Sequence, residues 1–415
     1  MENHHSIIII GGGTAGIMVA AQMKKREPKL DIAIIEPAEY HFYQPAWTLV
    51  GANAYDYNKT KRSMASLIPK GVTWVKEFAK SIDPDNNTVS TDGGNQFGYD
   101  YLVVAPGLVM APQLVDGLAE TLDKNMVCSN YTDPEYTWDV LQQFKGGTAL
   151  FTQPTTPIKC GGAPQKIMYL ADDYLRKSGK RKDSTVVFAT PGTVIFGVPE
   201  IKKTLLEVVD RKDINLRFGY KLVAVDGNEK IAWYEMAPHE KEYNPKDIDL
   251  IKDGARIGIK YDMMHLAPPQ APPQFIRDSK LSNEDGWLKA DKGTLQHPDY
   301  SNIFGIGDVA ALPTAKTGAA IRKQVPIVVE NIFRLKSRQL ISDKTYNGYS
   351  SCPLVTGYGK MVLAEFDYDN NFTPDPKLKQ MLVFDSSKES WRLWMLKKYM
   401  LPYLYWNKMM KGIDV

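Results

Sequence analysis

Several short runs of this chain are apolar at most positions without polar alternation. Ser6-Ile7-Ile8-Ile9-Ile10, Asp31 to Ile35, Tyr99 to Val104, Thr148 to Thr152 and Ser184 to Thr190 have the pattern of strands covered on both faces in a parallel sheet. Helical spacing follows at Ile17 to Lys25 and at Gln165 to Arg176, and another helix opens near Thr317. Strands alternating with helices predict an α/β protein, and the strand–turn–helix unit occurs twice, so two Rossmann-like dinucleotide-binding domains are expected. Ala267-Pro268-Pro269-Gln270-Ala271-Pro272-Pro273 reads as a rigid extended connection that returns the chain from the second domain to the first. The expected division is residues 1–110 with 295–345, then 111–294, then a C-terminal region 346–415.

That last region ends in two amphipathic runs, Trp391 to Leu401 and Tyr403 to Lys411, expected to break at Pro402. They hold three of the eight tryptophans, and they set Lys397, Lys398, Lys408 and Lys411 among large apolar residues. Basic residues beside Trp, Tyr, Met and Leu describe a segment lying in a membrane interface. A packed helix pair, as at a homodimer contact, is the alternative. Neither run could span a bilayer, and no other apolar run of about 18 residues exists to do so.

Composition narrows the classes. With 43% hydrophobic and 24% charged residues the chain is a folded protein, and at 415 residues it exceeds one ordinary core. A net charge of +3 without a basic, aromatic-interleaved run gives no footprint for nucleic acid. Three cysteines, Cys128, Cys160 and Cys352, form neither a secreted disulfide framework nor a CxxC pair. The six histidines do not cluster with them, so no metal site is expected. No presequence is read at Met1 to His5, which points to a reducing compartment or an already processed chain.

Candidate chemistry begins at the first strand. It runs into Gly11-Gly12-Gly13-Thr14-Ala15-Gly16, which fits GxGxxG, and Glu36 lies twenty residues past Gly16 at the end of the second strand. Glycines for a tight turn and close pyrophosphate approach, a helix N-terminus, and an acid for ribose hydroxyls make a full dinucleotide fingerprint, with Gly11, Gly13, Thr14, Ala15, Gly16 and Glu36 as the binding residues. Glu36 argues against a 2′-phosphate, leaving FAD or NAD. Ala105-Pro106-Gly107 resembles the Ala-Thr-Gly turn by which two-dinucleotide-fold flavoproteins bring the chain back to FAD. Asn302 to Asp308, with Gly305, Gly307 and Asp308, resembles their second FAD signature. Two signatures favour FAD. Lys316 and Gln324, near the helix that would face the flavin, are further candidates, and the aromatic stretch around Gln44 is read either as a surface loop anchored by its rings or as a flavin cover.

Lys159-Cys160-Gly161-Gly162-Ala163-Pro164-Gln165-Lys166 places a thiol at or just before a helix N-terminus, where unpaired N–H groups and the helix dipole favour thiolate. In the second unit the turn Thr190-Pro191-Gly192-Thr193 to Pro199 lacks the GxGxxG that would seat a nicotinamide dinucleotide, so the fold is expected to persist without its NADH site.

With these residues on the page, the chain resembles sulfide:quinone oxidoreductases of the type that includes the animal mitochondrial enzyme. The resemblance rests on His41-Phe42-Tyr43-Gln44-Pro45, on Lys159-Cys160 with Gly162 to Lys166, on Phe304 to Asp308, on Cys352-Pro353-Leu354-Val355-Thr356-Gly357-Tyr358 and on Leu404-Tyr405-Trp406-Asn407. It implies that Cys160 and Cys352, 192 residues apart, form a redox pair at the flavin, with Cys352 carrying the persulfide and Cys160 attacking the flavin. It further implies electron transfer to a membrane quinone and sulfur transfer to a soluble acceptor such as glutathione or sulfite. Leu354, Tyr358, Phe366 and Tyr403 are the quinone-wall candidates. Cys128 matches a third cysteine of some bacterial branches and stays outside the expected catalytic pair. Peripheral attachment to the cytoplasmic face of a bacterial inner membrane is the expected location, with the mitochondrial inner membrane as the alternative. A type-two NADH:quinone oxidoreductase, or a flavin-binding protein without turnover, would require the cysteine pair to be incidental.

Overall fold

A computed structural model describes residues 3–237, 248 and 250–414. The first strand, His4–Ile10, lies between Ile32–Ile35 and the long strand Gln96–Val104, all parallel, with Ile7 opposite both Ile32 and Tyr101. Thr73–Val75 extends one edge, Ile303–Gly305 pairs with the C-terminal end of the long strand, and the antiparallel pair Ala79–Asp83 and Thr88–Thr91 joins its beginning. The isoleucines are fully buried because the sheet is covered twice. Ile7 and Ile9 pack against the Thr14–Arg26 helix through Ile17 and Met18, while Ile8 and Ile10 face Leu102, Val104 and Ile276 on the other side. At roughly 25 cal/mol per Å² of apolar surface, each such isoleucine contributes about 2 to 3 kcal/mol of transfer free energy.

The second sheet is parallel throughout, in the order Val127–Cys128, Met263–Leu266, Gly147–Thr152, Ser184–Thr190, Asn215–Phe218. Helices Ala163–Lys177 and Pro199–Lys212 cover one face, meeting Ala149 and Phe151, and an antiparallel meander that includes Tyr220–Asp226 and Ile231–Met236 covers the other, meeting Leu150. The α/β class with two Rossmann-like sheets is therefore observed. The proline-rich connection crosses between them as expected, with Gln270–Ala271 paired antiparallel to Val109–Met110. Sequence reading treated the aromatic stretch as irregular. It in fact begins with a strand, Tyr40–Phe42, paired with Lys61–Ser63.

Two C-terminal features place the site. The hairpin Ser350–Gly357 with Lys360–Phe366 packs on the Ala163–Lys177 helix and pairs Cys352 with Ala364. The terminal segment then runs Trp391–Met395, Leu396–Met400 and Leu401–Asn407 as one helical path, so the break expected at Pro402 does not occur. The middle piece is a wide π-turn, and Pro402, which has no N–H to give to a carbonyl of the preceding turn, follows directly on it within the same helical path. Among the described residues no helix is long and apolar enough to cross a membrane.

The glycine turn is the tightest point in the first fold. A Cβ on Gly16 would lie 1.9 Å from the Gly11 carbonyl oxygen, and one on Gly11, whose φ is +99°, would lie 2.3 Å from that of Ala105. Gly16→Ala should therefore destabilise the first fold by about 3 kcal/mol or more, because backbone has to move. Thermal unfolding measures this, and an unchanged midpoint would contradict the packing described.

Candidate functional site

Three turns meet at the C-terminal end of the first sheet. Gly11 abuts Ala105, and the Ala105 N–H donates to the Ile10 carbonyl at 2.8 Å, so the first and second turns are locked backbone to backbone. Gly307, with φ +76°, donates its N–H to Gln324 Oε1 at 3.1 Å, and a Cβ on it would sit 3.6 Å from the Ala15 Cβ, bringing the second signature onto the fingerprint. Glu36 Oε2 accepts the Gly12 N–H at 2.7 Å and Oε1 accepts that of Ala38 at 2.8 Å. Gly13, Gly107, with φ +72°, and Gly318 border open space. The Thr14–Arg26 helix has no side-chain cap and no acid in its first turn, so its first N–H groups are available to an anion. This cradle suits the pyrophosphate of a dinucleotide.

Asp308 is held between two lysines. Burial raises its carboxyl, and Lys159 and Lys316 oppose that. The Lys316 ammonium, lowered to about 8 mainly by burial, donates to the Asp308 carbonyl at 2.6 Å and the Ala310 carbonyl at 3.1 Å and lies 4.1 Å from the Trp287 ring. Its backbone has a separate task, since the Lys316 carbonyl accepts the Cys160 N–H at 2.8 Å. Gln44 is exposed, and the carbonyl of Pro45 after it accepts from Lys397.

The two cysteines converge. Cys160 stands in the left-handed region, φ +55°, an uncommon and strained place for a non-glycine residue. Three bonds hold it there: its N–H to Lys316, its carbonyl accepting the Ala163 N–H at 2.8 Å, and the same carbonyl accepting the Tyr131 hydroxyl at 3.0 Å. Cys352 comes in from the hairpin and is 3% exposed. A Cβ on Gly162 would lie 2.6 Å from both Cys352 Sγ and Leu354 Cδ2, so the glycine is what lets the hairpin reach the cysteine turn. Neither cysteine is in a disulfide, each thiol shifts the titration of the other, and Lys166 Nζ donates to Cys160 Sγ at 2.9 Å.

The pair is electrostatically polarised. Cys160 lies well below the usual thiol range because Cys352 donates to it and the Lys166 ammonium stands beside it, against the opposing effect of burial. Cys352 is pushed well above that range by giving its proton to the same bond and by burial. Burial alone would lower Lys166, but the two thiols more than reverse that and hold it up. The sequence attributed a low Cys160 pKa to the helix N-terminus, whereas the larger causes are Cys352 and a lysine one turn into the helix.

Lys397 requires a correction. Read as a basic residue of the membrane face, it is 3% exposed, donates to the Pro45 carbonyl at 2.7 Å, and lies near Lys166 and both thiols. Burial and the Lys166 charge lower it to about 7. Both lysines fall on apolar stripes, Lys166 among Ala163, Ile167 and Leu170 and Lys397 among Leu393, Trp394 and Leu401, and that placement was the available signal. His41 and Tyr405 stand in motifs of the resemblance without a role assigned to them, and Tyr131 had no signal.

The quinone candidates divide. Leu354 and Phe366 flank the Cys352–Ala364 pair on one hairpin face, Phe366 edge-on to Phe196 at 6.0 Å. Tyr358 donates its hydroxyl to the Ala52 carbonyl at 2.6 Å, and Tyr403 is 58% exposed on the terminal helix, apart from the hairpin. Cys128 is fully buried in the second sheet, its thiol pushed up by burial. In the turn after Thr190, Ile195 and Val198 are buried in the second-fold core and Gln165 Nε2 donates to the Ile195 carbonyl at 2.6 Å.

Lys166→Met should raise the pH at which Cys160 becomes alkylated by a unit or more, about tenfold in thiolate fraction at neutral pH. The sign follows from removing a cation beside an anion. Iodoacetamide alkylation against pH, with the modified cysteine identified by mass, reads it, and an unshifted Cys160 profile would refute the assignment.

Comparison with known proteins agrees with this arrangement. Residues 5–139 match the family model described as pyridine nucleotide-disulphide oxidoreductase. The chain is 41% identical over 413 residues to the mitochondrial sulfide:quinone oxidoreductase of Mus musculus, covering 99% of this chain and 87% of that protein. It is 42% identical over 417 residues to the mitochondrial sulfide:quinone oxidoreductase of Dictyostelium discoideum, with the same shares covered. An X-ray structure of the sulfide:quinone oxidoreductase from the hyperthermophilic bacterium Aquifex aeolicus shares the fold, with a TM-score of 0.79 at 21% identity over 99% of this chain and 92% of that one. A two-sheet α/β body with a dinucleotide cradle, a paired thiol site and near-full-length identity of this order together identify the chain as a member of the sulfide:quinone oxidoreductase family of flavoproteins.

Proposed function

We propose that this protein oxidises sulfide at the Cys160–Cys352 pair, holds FAD in the first fold (residues 1–110 and 295–345), and delivers two electrons to a membrane quinone. The observation that carries the reading is the convergence of Cys160 and Cys352 at the Gly162 turn, with Lys166 on the Cys160 sulfur. In the oxidised pair, hydrosulfide attacks Cys352 Sγ, the S–S bond breaks, and Cys160 departs as the thiolate, leaving a persulfide on Cys352. The direction follows from leaving-group strength, since the thiol of lower pKa leaves faster. Lys166 receives the developing charge on Cys160, and Lys397 adds to that field below about pH 7, where its ammonium is charged. A glutathione or sulfite acceptor removes the outer sulfur of the persulfide, returning Cys352 to a thiol. FAD, when bound, supplies a two-electron acceptor that reoxidises the pair and can pass the electrons to quinone.

The cradle fits that cofactor. Open space at Gly13 and Gly107, free N–H groups at the helix start, Glu36 at the ribose position and Asp308 beside Lys159 and Lys316 are the groups that would hold it. The buried core at Ile195 and Val198 supports the absence of a nicotinamide seat in the second fold. The reading also includes peripheral attachment to an inner membrane, bacterial or mitochondrial, through the terminal segment. Trp391 at 61%, Tyr399 at 57% and Tyr403 at 58% exposure, with Met395 and Met400, form its apolar face.

Anaerobic sulfide should bleach the flavin absorbance of the purified protein and NADH should not. Cys160→Ser and Cys352→Ser should each abolish bleaching, whereas Cys128→Ser should retain most of it. Full bleaching in Cys160→Ser defeats the mechanism, and bleaching by NADH alone would favour a type-two NADH dehydrogenase. Replacing Trp391, Tyr399 and Tyr403 together with Ser should reduce co-sedimentation with phospholipid vesicles at least tenfold, given the aromatic area withdrawn from the interface. Undiminished vesicle binding would assign attachment to another face.

A further inference from the structure

The terminal helix reaches the nucleotide cradle through a chain of hydrogen bonds that the proposed chemistry does not use. Tyr405, 4% exposed on the Leu401–Asn407 helix, has its hydroxyl 2.7 Å from Thr14 Oγ1 and 2.5 Å from His41 Nε2. His41 Nδ1 lies 3.3 Å from the Gly12 carbonyl oxygen. The directions are fixed by what each end can do. A carbonyl only accepts, so His41 carries its proton on Nδ1, Nε2 must accept from the Tyr405 hydroxyl, and the Tyr405 oxygen is left to accept from Thr14. The imidazole stays neutral, since burial lowers it to about 4.

This chain aims a peptide. Gly12 is held at its N–H by Glu36 and at its carbonyl by His41. Because the peptide is planar and trans, fixing that carbonyl also fixes the Gly13 N–H, pointing the opposite way. Gly13 borders open space at the start of the Thr14–Arg26 helix, where a pyrophosphate needs a donor. A glycine-rich turn would otherwise be free to rotate that peptide. The same terminal segment is packed down again beyond the helix, where a Cβ on Gly412 would lie 2.7 Å from the Ala21 carbonyl carbon.

We propose that the terminal helix is a working part of the cofactor cradle, with Tyr405 as a positioning residue that acts through His41 to orient the Gly12–Gly13 peptide toward a bound flavin dinucleotide. Seating of the segment that bears the exposed aromatic face and retention of the flavin are then one event. The inference rests on the reading that FAD occupies the first fold.

The test uses the flavin-loaded, full-length protein. Tyr405→Phe keeps the ring and removes the hydroxyl that joins His41 to Thr14, and flavin release into dilute chaotrope, followed by the rise of free flavin fluorescence, should quicken about tenfold. The thermal midpoint of the flavin-free Tyr405→Phe protein should fall less than that of the loaded one. Release within twofold of the parent, or equal falls in loaded and flavin-free midpoints, would overturn the proposal by leaving Tyr405 a packing residue. A parent protein that purifies without flavin would instead remove the FAD reading, and this inference with it.

Discussion

A buried ammonium beside a buried thiol is the constraint around which the site is arranged. Lys166 is 2% exposed, and an isolated charge at that depth would cost several kcal/mol, so it is tolerable only beside a partner that carries the opposite charge. Cys160 is that partner, and its low pKa and the raised Lys166 describe one interaction seen from two ends. Everything that brings the sulfur to the lysine follows: the left-handed backbone at Cys160, the Lys316 carbonyl that grips its N–H, and the side-chain-free wall at Gly162. Cys352 completes the arrangement by donating its proton, so the two thiols are made unlike by position alone.

The fold was largely legible. Unbroken isoleucine at Ile7 to Ile10 and the mixed apolar run Thr148 to Thr152 specified parallel strands, because only a doubly covered sheet suits such runs. The glycine spacing and Glu36 were equally readable, since backbone approach at Gly11 and Gly16 leaves no alternative residue. What escaped was decided at long range. Lys397 stands beside Lys398 in a basic run that masked its apolar stripe, and the π-turn and the Pro45 carbonyl are what receive it inside the fold. The run through Pro402 depends on the same wide turn, a tertiary adjustment with no local motif. Convergence of Cys160 and Cys352 came from family resemblance, since spacing of 192 residues carries no geometric information by itself.

In the second fold the turn after Thr190 belongs to the core, drawn in through Ile195 and Val198 and tied by Gln165. The helix that starts just after Cys160 also supplies Gln165 and Lys166. One helix thus ties that turn with one side chain and charges the thiol with the next, which couples the two features through adjacent residues.

The third cysteine acquires its own meaning from where it lies. Cys128 is enclosed in the second sheet, its sulfur directed at the Met264 carbonyl at 3.5 Å, and burial keeps it in the thiol form. A folded molecule therefore shields this sulfur from oxidants and electrophiles, and only disruption of the sheet releases it. The protein carries an internal gauge of its own integrity, a sulfhydryl that stays silent for as long as the second fold holds.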